Sequence, residues 1–211
     1  MIGKCFALLL GFFVICGNVF AATEENNVVK ITYATDMLSR IYDEFDSKLA
    51  EKQQLKTATK ILYDSLDIAT IGRLTIGKYA KQFTASVSAE YYKEFAKLME
   101  VWLYDKILIL SQMPRKDIKV SKRIMQTNAT DDDITIEMVL PNKQPANMVF
   151  RIRILDNNPP KIINVIIENI DILESYRMSF AEEIEQSGIA AIVPFIKQLR
   201  ANYESVTKFK Q

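Results

Sequence analysis

Carboxylates are the first acid–base groups to consider in this chain. Its 211 residues contain no histidine, and both cysteines, Cys5 and Cys16, fall near the start. Imidazole bases are therefore absent, and thiol nucleophiles and the commonest zinc sites have almost nothing to be built from. A buried carboxylate with a raised pKa can still act as an acid or base, and Glu137 and Glu168 are the candidates. Each stands opposite the apolar residues of its own strand pattern, which argues against burial. Asp131-Asp132-Asp133 lacks the spacing and the distal Glu of a calcium loop, so a solvated hairpin tip is expected there. Asn128-Ala129-Thr130 fits a glycosylation acceptor, which matters only in a eukaryotic secretory pathway. Arg151 and Arg153, with Arg115, Lys116, Lys119, Lys122 and Arg123, could form a basic face for acidic partners or anionic lipid; ordinary surface charge is the alternative. A net charge of +1 argues against nucleic acid as a partner.

The first residues read as a targeting segment. Lys4 supplies a positive charge, Cys5 to Cys16 is an almost unbroken apolar run, and Val19-Phe20-Ala21 offers small residues where a signal peptidase reads. The run is shorter than the roughly 20 residues a membrane span needs. Residues 1–21 are expected to be a cleaved signal peptide, with cleavage after Ala22 or an uncleaved anchor as alternatives. Cleavage removes Lys4 and both cysteines, leaving 26 acidic side chains balanced by as many basic ones in residues 22–211. A single domain of that size can bury a real core without disulfides.

What must position any site is a set of helices and then strands. Residues 28–50 carry an apolar helical stripe of Ile31, Leu38, Tyr42, Phe45 and Leu49. Helices continue from Lys52 to Phe83, with a break favoured by Gly72 and Gly77. A further helix with Ser86 or Ser88 as its cap runs to about Gln112, ahead of Pro114, and its VWLYDKILIL segment is apolar on nearly every side. The period then changes to two. Ile118, Val120 and Ile124; Ile134, Ile136, Met138 and Leu140; Met148, Phe150, Ile152 and Ile154; and Ile163, Val165 and Ile167 each alternate with polar residues. Short turn-rich links make these four strands antiparallel neighbours. The expected class is α+β: a curved four-stranded antiparallel sheet clasped by helices from both ends of the chain. A last helical pattern runs from near Tyr176 toward Leu199, with Gly188 as a C-cap inside it.

The stretch from Pro160 to Leu199 resembles the C-terminal signature of the MlaC-type, or toluene-tolerance, family, whose pattern is roughly W-x-V-x-D-V-x-x-E-G-V-S-x-x-x-x-Y-R-x-x-F followed by Gly-Ile. Val165, Glu168, Tyr176, Arg177, Phe180, Gly188 and Ile189 match it. Pro160, Asn164, Asn169 and Asp171 stand where that pattern has Trp, Asp, Gly and Ser. Asp67, Ile68, Arg73, Gly77 and Tyr79 resemble a second family segment. The resemblance implies a periplasmic carrier of phospholipid that exchanges cargo with an inner-membrane ABC transporter complex and an outer-membrane lipoprotein complex, and so maintains outer-membrane lipid asymmetry. It implies a monomer, no catalysis and no cofactor beyond bound phospholipid, and a lipid cavity between sheet and helices.

In that reading Met148, Phe150, Ile152, Ile154, Ile136, Met138, Ile163, Val165 and Ile167 face the acyl chains from the sheet. Trp102, Ile107 and Ile192 close the other side. Arg177 either binds the lipid phosphate or, as the preferred reading, holds the fold together with Tyr176 packed beneath it. The rivals are a small enzyme with a cone-shaped sheet and a buried carboxylate, and a lipid-independent adaptor or chaperone with a solid core.

Overall fold

The computed structural model describes residues 28–128, 131–139, 145–153, 159–167 and 170–207, with the backbone alone for 117–149, 152, 153 and 207. The expectations for the signal peptide, Leu140, Ile154, Glu168 and Asn169 lie outside the described residues. Helix α1 spans residues 28–45. Its buried stripe is Ala34, Met37, Leu38, Ile41 and Tyr42. Leu49, expected on that stripe, is 49% exposed because the helix has already ended. Helix α2 (Glu51–Ser65) and α3 (Ile68–Ile76) follow. They part at Leu66 and Asp67, not first at the glycines. The Asp67 amide donates to the Ile162 carbonyl at 2.9 Å, so the chain is pulled onto a strand there.

Asp67 also caps α3, its carboxylate accepting from the Thr70 amide at 2.9 Å. Gly77 ends α3 with φ at +47°, a conformation open to glycine at little cost. Gly72 stays helical for a different reason. A Cβ there would lie 3.1 Å from Phe95 Cδ1, so the bare backbone lets the next helix approach. That helix, α4 (Ala85–Leu110), is capped by the hydroxyl of Thr84 rather than by Ser86 or Ser88. It carries the most buried face in the protein, including Phe95, Leu98, Val101, Trp102, Leu103 and Ile107.

The sheet follows as β1 (Ile118–Asn128), β2 (Asp131–Val139), β3 (Pro145–Arg153), β4 (Lys161–Ile167) and β5 (Ile170–Asp171), antiparallel and in sequence order. The four strands expected become five by the two-residue β5, too short to carry an alternation. Asp131-Asp132-Asp133 is not a hairpin tip. It lies in the ladder, with position 133 opposite 123 and 151, and position 131 opposite 153. Acidic and basic positions thus face each other across strands, the arrangement that stabilises neighbouring strands.

The register between β3 and β4 shifts by one residue. Phe150 pairs with Val165 and Arg151 with Asn164, but Ile152 pairs with Ile162. Ile163 is the extra residue of a β-bulge, so the strand changes face there. Ile162, not Ile163, shares the core cluster with Phe150 and Val165.

Two more helices, α5 (Ile172–Ser187) and α6 (Ile192–Thr207), return over the helical layer. The link between them turns at Gly188, whose φ is +82°. Rings from three helices interlock here. Phe180 lies 5.6 Å from Tyr176, 6.2 Å from Tyr91 and 6.2 Å from Phe95, centroid to centroid. At the rim, Glu94 of α4 accepts from Lys97 at 2.9 Å and from Arg200 of α6 at 2.8 Å. Burial pushes its carboxyl pKa up, but the Lys97 hydrogen bond and the Arg200 charge outweigh burial and hold it below the ordinary value.

Candidate functional site

The side chains of α1, α2 and α4 meet those of β3 and β4 around one apolar cleft. Its walls are Leu38 and Ile41 of α1, Leu62 of α2, and Phe150, Val165 and Ile167 of the sheet. From α4 come Trp102, Leu103, Lys106, Ile107 and Leu110, which recur at the spacing of one helix face. The free space between these side chains is about 20 Å³. That is room for about one water molecule. The walls touch rather than enclose a chamber.

Of the residues singled out from sequence, Trp102, Ile107, Phe150, Val165 and Ile167 are brought together here. Three of them sit where the strand register requires, since Phe150 lies opposite Val165, and Ile167 opposite position 148. For Met148, Ile152, Ile136 and Met138 the backbone alone is described, and it aligns position 136 with 148, and 152 with 162. Two of the assigned residues stand apart from these walls. Ile163 is buried but does not line the cleft, because the bulge changes its face. Ile192 is fully buried in the helical core and likewise forms no part of these walls.

Sequence reasoning missed Lys106. It lies four residues after Trp102 and four before Leu110, a spacing that marks their common face, but it was read as part of a segment apolar all round. Its ammonium stands 5.6 Å from the Trp102 ring centroid and 2.6 Å from Asp105 Oδ2.

Arg177 points elsewhere. Its Nε donates to the Leu74 carbonyl at 3.1 Å, one of the orphan acceptors at the C-terminal end of α3, and Nη1 donates to Glu174 Oε2 at 3.0 Å. It borders a separate cleft of about 270 Å³ with Thr75, Ile76, Gly77, Lys78, Tyr79 and Ala181. Tyr176 is buried in the aromatic cluster, and burial, with Tyr203 adding to it, pushes its phenol pKa well above the ordinary value. Three matching residues of the second family segment are architectural too. Asp67 caps α3, Gly77 ends it, and the Tyr79 hydroxyl donates to Glu185 of α5.

The turn from β4 into α5 is held by an amide–carboxylate pair. Asn164, only 4% exposed, donates from Nδ2 to Asp171 Oδ2 at 2.9 Å. Its Oδ1 accepts from the Leu173 amide at 3.2 Å, while Asp171 Oδ1 caps α5 through the Glu174 amide at 2.9 Å. These are acceptors for the free amides of a helix start, not a reaction centre. Among the described residues no group of three His, Cys, Asp or Glu side chains could hold a metal ion. Nor is any described helix long and apolar enough to cross a membrane.

No curated protein sequence matches the chain. The solved structure of the phospholipid-binding protein from Ralstonia solanacearum, in complex with a phospholipid, shares its fold with a TM-score of 0.63 at 17% identity. The match covers 83% of this chain and 97% of that one. The family model described as MlaC protein matches residues 32–200. By that match over most of its length, the chain belongs to the MlaC family.

Proposed function

We propose that the chain carries a phospholipid as cargo, in the periplasm, between an inner-membrane ABC lipid transporter complex and an outer-membrane lipoprotein complex, and so serves outer-membrane lipid asymmetry. Residues 1–21 direct export in this reading, and residues 22–211 form the carrier, a monomer that performs no catalysis and needs no cofactor. The cleft between α4 and the sheet carries the proposal. There, among the described residues, buried apolar side chains of both layers face each other, with Lys106 and Ile167 partly exposed beside them, in a fold shared with a protein solved with phospholipid bound. Acyl chains leaving a bilayer lose about 0.8 kcal/mol for each CH₂ exposed to water, so a carrier must offer them a dry wall on both sides. Ligand pockets of this kind hold about 300–1,000 Å³. Loading therefore requires the sheet to part from α1 and α4 as the chains enter.

Native mass spectrometry on protein purified from a membrane-containing host tests this. Co-purifying phospholipid supports it, and a clean protein mass with no uptake from vesicles supports the adaptor reading. Phe150→Trp, which adds volume where the walls already touch, should lower lipid uptake about tenfold, while overpacking costs about 1–3 kcal/mol of stability. Normal loading by that variant would show that the cleft is plain core.

Arg177→Ala separates the two roles considered for that residue. With its guanidinium on the Leu74 carbonyl and Glu174, and partly exposed, the expected result is a loss of about 1 kcal/mol in denaturant unfolding with lipid retention unchanged. Weakened retention at unchanged stability would restore it as a head-group contact.

A further inference from the structure

Among the described residues lining the cleft, Lys106 alone carries a charge, and Lys106 and Ile167 alone are not buried. The cleft therefore meets solvent between residue 106 of α4 and the end of β4. Ile170 pairs with Ile167 across the β4–β5 turn, so the two share a face of the sheet, and Ile170 is 58% exposed. The mouth thus has an apolar sill on the sheet side and a single cation on the helix side.

We propose that Lys106 recognises the phosphodiester of the cargo at this mouth; the inference rests on the carrier reading above. A lysine on an apolar wall often lays its stem along the wall and frees its head to water. Here the head does not turn away. The ammonium is held over Trp102, deep in the wall, and by Asp105 at 2.6 Å, with the Lys106 side chain 24% exposed. An ammonium has three donors, and Asp105 takes one. The other donors remain for an oxygen that arrives at the mouth when acyl chains fill the cleft below. Because Asp105 already balances the charge, recognition works through hydrogen bonds to the phosphodiester rather than through net charge. A diacyl lipid lacking phosphate gains nothing from them.

The test compares phosphatidylglycerol with diacylglycerol of the same acyl chains, each loaded from the same nonionic-detergent micelles into the wild-type protein, Lys106→Met and Lys106→Arg. Lys106→Met keeps an apolar stem and removes the donors. It should lower phosphatidylglycerol affinity about tenfold, the size of one lost charge-assisted hydrogen bond, and leave diacylglycerol unchanged. Lys106→Arg should retain most of the preference. A wild-type protein that takes up both lipids, with a phosphatidylglycerol preference that Lys106→Met leaves intact, overturns the role of Lys106 while the carrier reading stands. A wild-type protein that takes up neither overturns both. Equal loss of both lipids in Lys106→Met, at an unchanged melting temperature, assigns the residue to the wall alone and likewise overturns the proposal.

Discussion

Asn164→Asp is expected to lower the melting temperature of this protein sharply at neutral pH and much less in mild acid. The pattern that the β4–α5 turn resembles has Asp where Asn164 stands and Ser where Asp171 stands, so the substitution restores a family-typical residue. In this chain it removes the amide that donates to Asp171 and puts a second carboxylate 2.9 Å from the first, in a position 4% exposed. Two carboxylates at that distance cannot both ionise, and the pair's proton affinity rises. Leaving the charge unpaired and buried costs about 3–5 kcal/mol, or roughly 2–4 °C of melting temperature for each kcal/mol in a domain of this size. The sign follows from linkage. With its folded pKa raised, the variant binds more protons folded than unfolded near neutrality, so its stability falls as pH rises through that value and recovers as pH drops toward about 5. Thermal melts at pH 7.5 and 5.5 measure this, and adding Asp171→Ser should recover most of the loss. A pH 7.5 melt within a degree of the parent would mean that the Asn164–Asp171 pair carries no weight in the fold.

Phe180→Ala should cost about 3–5 kcal/mol, the range for removing a wholly buried aromatic ring. Phe180 is 0% exposed and meets rings from its own helix and two others: Tyr176 of α5, Tyr91 and Phe95 of α4, and Phe195 of α6, the last at 6.2 Å. No single side chain can move into that space without leaving another contact, so the cavity stays open. Denaturant titration should give a lower midpoint with an unchanged slope. Phe180→Leu should lose less than half as much. If the alanine variant unfolds at the parent's midpoint, α5 is not docked through this ring.

The helices were legible in the sequence because their apolar stripes are long and repeat. Even so, the α1 stripe, right at Leu38 and Tyr42, took in Leu49 beyond the helix end and left out Ala34, Met37 and Ile41. The faces of β3 and β4 were legible as far as Val165, where simple alternation holds. They failed at Ile163 because a bulge is decided by how two strands fit, and one strand's pattern carries no trace of the other's register. The acidic triplet was misread for the same reason, since its partners at positions 123, 151 and 153 are set by pairing. Lys106 escaped because one Asp-Lys pair inside a segment apolar on nearly every side does not show which face it shares until the wall beside it is placed. Arg177 drew attention by resemblance, and the structure gives it a helix end to satisfy.

The tightness of the cleft has a thermodynamic side. With about 20 Å³ between them, the walls are each other's competing ligand: Phe150, Val165, Trp102 and Ile107 share one buried cluster, where acyl chains would otherwise pack. Incoming lipid must displace those contacts, and its apparent affinity is reduced by the fraction of molecules whose walls stand apart. Departing lipid, conversely, is replaced at once by protein, and no wide apolar surface is left facing water to aggregate. In the carrier reading proposed above, a receiving protein would then work against a small net affinity rather than the full transfer energy of two acyl chains, and self-closure would complete the handover.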